Sequence, residues 1–314
     1  MRRPIRLILA ATALAAALPR IWPPGPGGPD AVSAATPGYV PVVGAASPSG
    51  EGAPASADEA DLVRGAIYLS GGLHRTVDPS SELILVRPGH AAMDARGMAA
   101  HVRVIGALVG ELARIAPDAG IGLLIGGVPG APAEPPAGLS QALEALREDP
   151  ELAGVDLEIL DLGEEELEET EVPGGGGPYP VPISLLECDA LVNAARPAGP
   201  LAGLDNLRGL AGPGADGSSP GPVELALLAE VDYTLLDMTG HRGPGPLLLA
   251  GADGIAVDRV AASLLGAGGE RLAPLIAAGG LRLGMSRLAS IKVAGLEVPG
   301  SWAPPPDTAA VEPR

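Results

Sequence analysis

The chain has no phenylalanine, one cysteine and only six aromatic residues among its 314. It also has a single lysine, Lys292, beside nineteen arginines. One cysteine excludes a disulfide framework, a four-cysteine zinc site and a cysteine-ligated iron–sulfur cluster within the chain. Without phenylalanine, any core must be built from Leu, Ile, Val and Ala. The net charge of −18 argues against a nucleic-acid backbone as partner, because phosphate binding needs a basic face. The arginine excess reads as codon bias rather than chemistry. What the chain has in quantity is glycine and proline, 46 and 35 residues, close to the level of low-complexity disorder. Against that, 46% of residues are hydrophobic, and they cluster in runs long enough to form a core.

The amino terminus carries Arg2, Arg3 and Arg6 ahead of an apolar run from Leu7 to Leu18, which Pro19 and Arg20 end. A membrane-spanning helix needs about 20 apolar residues, whereas an export signal needs only ~7–15. An export signal or uncleaved amino-terminal anchor is therefore expected over 1–34, with candidate cleavage at Ala15-Ala16-Ala17 or Val32-Ser33-Ala34. The expected location is outside the cytoplasm: periplasmic, extracellular or tethered to the membrane through the amino terminus alone. Arg2-Arg3 is also a loose match to a twin-arginine leader. Residues 35–61 are rich in Pro, Gly, Ala and Ser and read as a flexible tether. Residues 299–314 read as a disordered tail, which leaves an α/β body over 62–298.

Within that body, short aliphatic runs alternate with helical patterns. Strands are expected at Ala66–Ser70, Leu83–Arg87, Ile121–Ile125, Val155–Leu160, Ala190–Asn193, Thr234–Met238 and Ser290–Val298. Helices are expected at Arg96–Ile115, Leu139–Arg147, Ile255–Leu265 and Leu272–Ala278. The longest of them has Val102, Ile105, Leu108, Val109 and Leu112 along one face. This alternation predicts a three-layer α/β fold, a mainly parallel sheet with helices on both faces. Two inserts break the pattern. Glu164 to Glu171 holds six acids in eight positions and reads as a solvated face, and Pro213 to Pro222 reads as a loop.

The densest chemistry lies between Tyr233 and Gly266. A strand delivers Asp237 to its carboxyl end, and a Gly/Pro loop holding His241 and Arg242 follows. Asp253 then stands where it can cap a helix, with Asp258 inside that helix among aliphatic neighbours. Ligands in open α/β sheets bind beyond the carboxyl ends of the strands. Asp237, His241, Arg242, Asn206 and Asp258 are thus the candidate ligand-binding residues. Asp237 and His241 would be ligand or acid/base groups, Arg242 an anion clamp and Asn206 a positioning donor. A competing structural reading has Asp253 capping, Asp258 paired with an arginine and the glycines turning the chain.

The four histidines, His74, His90, His101 and His241, have no pair at metal-binding helical spacing. A metal site from His90, His101 or His241 with Asp237 is a minor alternative, and no resident metal is expected. Cys188 adjoins a buried strand and reads as a small core residue. No Gly-x-Gly-x-x-Gly, P-loop, Gly-x-Ser-x-Gly or His-Glu-x-x-His pattern is present.

The stretch Ala250-Gly251-Ala252-Asp253 to Asp258, running on to Leu264-Leu265-Gly266, resembles the carboxyl-terminal half of a bacterial family, domain of unknown function 362. Gly279-Gly280-Leu281-Arg282-Leu283-Gly284 and Ile291 to Gly295 are similar to it as well. Upstream, Ile84-Leu85-Val86-Arg87-Pro88-Gly89 is similar to the family's Ile-Leu-Ile-Lys-Pro-Asn strand. Asp189-Ala190-Leu191-Val192-Asn193 is similar to its strand ending in Ile-Asn. The family's Lys/His-rich segment and its Lys-Asn-Leu-x-Gly turn are replaced here by Ala194-Ala195-Arg196-Pro197 and Asp205-Asn206-Leu207-Arg208-Gly209. The ferredoxin module of some relatives is excluded by the single cysteine. The resemblance thus implies a divergent member that has lost most of a basic cluster. It points to an exported noncatalytic or degenerate protein binding a ligand or partner of unknown identity. The alternative is a small-molecule or metal-dependent enzyme using the same crevice.

Overall fold

The computed structural model describes residues 40–46, 59–131, 133–172, 177–239, 247–267 and 269–295. In chain order, Val42–Ala46 forms β1, Glu59–Leu69 α1, Leu83–Pro88 β2, Ala95–Ile115 α2, Gly120–Ile125 β3 and Leu139–Glu144 α3. Then come β4 at Leu157–Asp161, β5 at Leu167–Glu171, β6 at Pro178–Pro182, α4 at Ile183–Glu187 and β7 at Ala190–Ala195. The remainder is α5 at Ala202–Asn206, α6 at Pro222–Ala229, β8 at Tyr233–Asp237, β9 at Leu248–Gly251, α7 at Gly254–Leu264, α8 at Ala273–Gly280 and β10 at Lys292–Ala294.

Eight strands form one sheet in the order β10-β1-β9-β8-β7-β2-β3-β4. Only β9 runs antiparallel to its neighbours β1 and β8; every other pairing is parallel. Successive side chains of a strand point to opposite faces, and the core divides accordingly. Ile84 and Val86 of β2 join α1, α2 and α3 on one face, while Leu85 joins α4 to α8 on the other. The fold is a three-layer α/β sandwich, as the alternation of runs predicts. Strands buried on both faces read as continuous aliphatic runs, which is why β2, β3, β7 and β8 were legible.

The structure departs from four expectations. Residues Ala66 to Leu69 belong to α1 rather than to a strand. A strand would bury alternate positions, but Leu62, Val63, Ala66 and Ile67 are buried at helical spacing and Tyr68 is 82% exposed. The tether expected over 35–61 is interrupted by β1, whose Val43 and Ala45 are fully buried between β10 and β9. Gly44 is required there, because a Cβ would collide with the Ala66 carbonyl and the Ser70 nitrogen. The acidic block is a strand too: β5 pairs with β6 in a two-stranded antiparallel ribbon. Pro178, Pro180 and Pro182 alternate along β6, so Tyr179 and Val181 keep the amides that face one way. Glu168, Glu169 and Glu171 stay exposed, the solvated face expected of them. The closing strand is shorter than expected, and positions 296–298 lie outside the described residues.

Among the described residues no helix is long and apolar enough to cross a membrane.

Candidate ligand-binding crevice

From β2 the chain moves outward through β3 to β4, while β7 and β8 lie on the other side of β2. The strand order therefore reverses between β2 and β7. Connections leaving their carboxyl ends diverge at such a point and open a crevice. Both carboxyl ends carry polar residues: Arg87 at the end of β2 with His90 just beyond it, and Asn193 in β7 with Arg196 directly after it.

His101 enters from α2, whose start is fixed by Asp94 accepting the Gly97 amide at 2.7 Å. The Gly89 N–H donates to His101 Nε2 at 2.9 Å. The other ring nitrogen, Nδ1, lies 2.8 Å from Asp237 Oδ2 at the end of β8. These partners assign His101 as the neutral Nδ1–H tautomer, donating to Asp237 and accepting from Gly89. Asp237 also accepts from Arg196 Nη1 at 3.4 Å, from the Thr239 amide at 2.9 Å and from the Thr239 hydroxyl. Burial pushes the Asp237 pKa up, the hydrogen bonds from His101 and Thr239 pull it down, and the net shift is downward. Arg196 closes this network through the carbonyls of Gly97 at 3.1 Å and Thr239 at 2.7 Å.

Asn206, at the end of α5, joins β2 to β7. Its Nδ2 group donates to Asn193 Oδ1 at 2.9 Å and to the Arg87 and Pro88 carbonyls at 3.2 Å each. Its Oδ1 accepts the His90 amide at 3.0 Å and faces His90 Nδ1 at 3.4 Å. Asn193 in turn donates to the Gly203 carbonyl at 2.9 Å. With Nδ1–H directed at Asn206, His90 Nε2 carries a lone pair. That atom is buried and has no hydrogen-bond partner among the described residues. Burial, aided by the Arg87 charge, lowers the His90 pKa to about 3, so the ring is neutral at physiological pH.

Arg87 is fully buried. It donates from Nε to the Asn206 carbonyl at 3.4 Å, from Nη1 to the Leu124 carbonyl at 3.3 Å and from Nη2 to the Arg208 carbonyl at 2.8 Å. No carboxylate pairs with it among the described residues, and desolvation lowers its pKa to about 9.

The sequence-derived candidates thus separate. Asn206 and Asp237 lie at the crevice, although both oxygens of Asp237 are engaged within the protein. Asp258 does not reach the crevice: it faces the start of α5 and accepts the Gly203 and Leu204 amides at 2.6 and 2.8 Å. The arginine partner considered for it is replaced by these amides, and burial pushes its pKa up to about 7. Asp253 caps α7 through Ala256 at 2.9 Å and also holds the Met285 amide at 2.8 Å. His241 and Arg242 lie outside the described residues. His101 and Asp237 do meet, but their ligating atoms are spent on each other and on Gly89, Arg196 and Thr239. Among the described residues no group of three His, Cys, Asp or Glu side chains could hold a metal. Cys188 is buried and points its thiol at the Leu185 carbonyl, the core role expected of it.

Arg196, Thr239 and Asn193 were not singled out as site residues. Arg196 follows a buried strand directly, a position that favours the crevice, but its partners come from two distant segments.

No protein-family model matches the chain, and a search of curated proteins finds no matching sequence.

Proposed function

We propose that this is an exported, noncatalytic binding protein that holds a small ligand in the crevice between β2 and β7, with His90 Nε2 as a contact atom. The observation that carries the reading is the orphaned acceptor itself. A buried polar atom without a partner costs roughly 1–3 kcal/mol, and native folds keep few of them. Here one stands at the reversal of strand order, with its ring oriented by Asn206. A ligand N–H or O–H would recover that free energy.

Binding is favoured over catalysis because the ionisable groups around His90 are committed. Asp237 and His101 hold each other, and a histidine with a pKa of about 3 is a weak general base near neutrality. Kinship to domain of unknown function 362 is part of the proposal and rests on the motif resemblance. So is export, which rests on the basic and apolar composition of residues 1–18. The acidic chain disfavours nucleic acid as the partner.

The test is native mass spectrometry of the chain expressed with its amino terminus and recovered from the exported fraction. A small-molecule mass present in the native chain and lost in His90→Ala, with the fold intact by circular dichroism, supports the reading. A bare polypeptide mass for both, with recovery only from the cytoplasm, counts against it.

A further inference from the structure

The charges around the crevice narrow the chemistry of its ligand. Two buried guanidiniums, Arg87 and Arg196, stand in this region, and the carboxylate that pairs with Arg196 is Asp237. His101 is held neutral by accepting the Gly89 N–H, which an imidazolium could not do. Arg196 already pairs with Asp237. Arg87, by contrast, has no carboxylate partner among the described residues, where its donors meet the Asn206, Leu124 and Arg208 carbonyls. A buried guanidinium lacking a counter-ion is unfavourable, and an anion nearby relieves it. The same field opposes a cation at His90.

His90 adds a second condition. Its Nε2 can only accept, because Nδ1–H is directed at Asn206 Oδ1. Whatever meets Nε2 must donate a proton into a hydrogen bond while answering a positive charge. Resting on the crevice reading, we propose that the ligand is a small oxyanion that still carries a proton, of which hydrogen phosphate is the simplest case. Its P–O–H donates to His90 Nε2, and its charge is offset by Arg87 without direct contact. Sulfate has the same shape and charge sign but carries no proton near neutrality. A carboxylate of a hydroxy acid, whose hydroxyl donates, belongs to the same class.

The experiment is isothermal titration of the full chain, dialysed free of phosphate, with inorganic phosphate and with sulfate at pH 7 and equal ionic strength. One hydrogen bond to a charged partner separates the two anions, so phosphate should bind at least about tenfold more tightly. His90→Ala should bring phosphate down to the sulfate level while leaving the sulfate affinity within about twofold. Equal affinity for both anions, or no saturable binding of phosphate or of a hydroxy acid such as lactate, overturns the oxyanion assignment. The crevice reading fails separately: a neutral molecule released in native mass spectrometry and lost in His90→Ala keeps it, whereas its absence in the exported chain removes it.

Discussion

Nδ1 of His101 lies 2.8 Å from Oδ2 of Asp237, joining α2 to the end of β8 across 136 residues of sequence. Both side chains are essentially closed to solvent. Because Arg196 and Thr239 converge on the same carboxylate, Asp237 is the anion around which the carboxyl edge of the sheet is assembled. Its oxygens tie α2, β8 and the segment after β7 together.

Asp237→Asn should therefore destabilise the fold strongly. It removes the charge opposite buried Arg196 and sets an amide N–H₂ against donors. Breaking a buried pair in this way costs about 3–5 kcal/mol. Urea denaturation should show a lower midpoint with an unchanged slope.

His90→Ala should behave in the opposite way. Its Nε2 has no hydrogen-bond partner among the described residues, and its Nδ1 contact is long at 3.4 Å. Removing an unsatisfied buried group offsets much of the lost packing. The stability change should stay within about 1 kcal/mol by the same denaturation measurement, whereas ligand retention should be lost.

His90 and Asp258 make opposing contributions to the pH dependence of stability. His90 has a folded pKa lowered to about 3, below its unfolded value of ~6.5. The unfolded state then binds the extra proton, and stability rises with pH across that window. Asp258 has a folded pKa raised to about 7, above ~3.9 in the unfolded chain. The folded state binds that proton, so its contribution is present below the unfolded pKa and lost as pH rises to 7. The two offset each other between about pH 4 and 6.5 in the native protein. Each single variant should unmask the other group: stability should fall with rising pH in His90→Ala and rise in Asp258→Asn. The expected slope change is about 1.4 kcal/mol per pH unit.

Gly44→Ala tests whether β1 is part of the folded body. The added methyl would strike main-chain atoms of Ala66 and Ser70, which cannot move aside as a side chain can. A loss of about 3 kcal/mol is expected from such overpacking, read as a lower thermal midpoint. An unchanged midpoint would place Val42–Ala46 outside the cooperative unit.

Of the strands buried on both faces, β2, β3, β7 and β8 are legible in the sequence, because they are plain aliphatic runs. β1 is not, since Val-Val-Gly-Ala-Ala lies in a Pro/Gly-rich context that masks a five-residue strand. α1 was misread because a five-residue apolar run looks the same in either period until Tyr68 is seen to face solvent. Asp237 and Asn206 could be found from their places after a strand and in a turn. His101 is set beside Asp237 in the sequence reading only as a metal-ligand alternative, and Arg196 and Asn193 are not paired with them, because all three reach their partners through the crossovers of the sheet. Asp258 stands out in the sequence for a reason that its structural setting accounts for. A carboxylate amid aliphatic neighbours needs donors, and the amides of α5 supply them.

The most direct measurement is nitrogen NMR of the His90 ring in chain labelled at histidine, assigned by comparison with His90→Ala and titrated from pH 8 to 5. We expect a neutral ring in the Nδ1–H tautomer throughout, with Nε2 showing the shift of an unprotonated nitrogen. A ring that titrates near pH 6.5, or one with its proton on Nε2, would contradict the assignment of His90 as a buried acceptor and with it the proposed ligand contact.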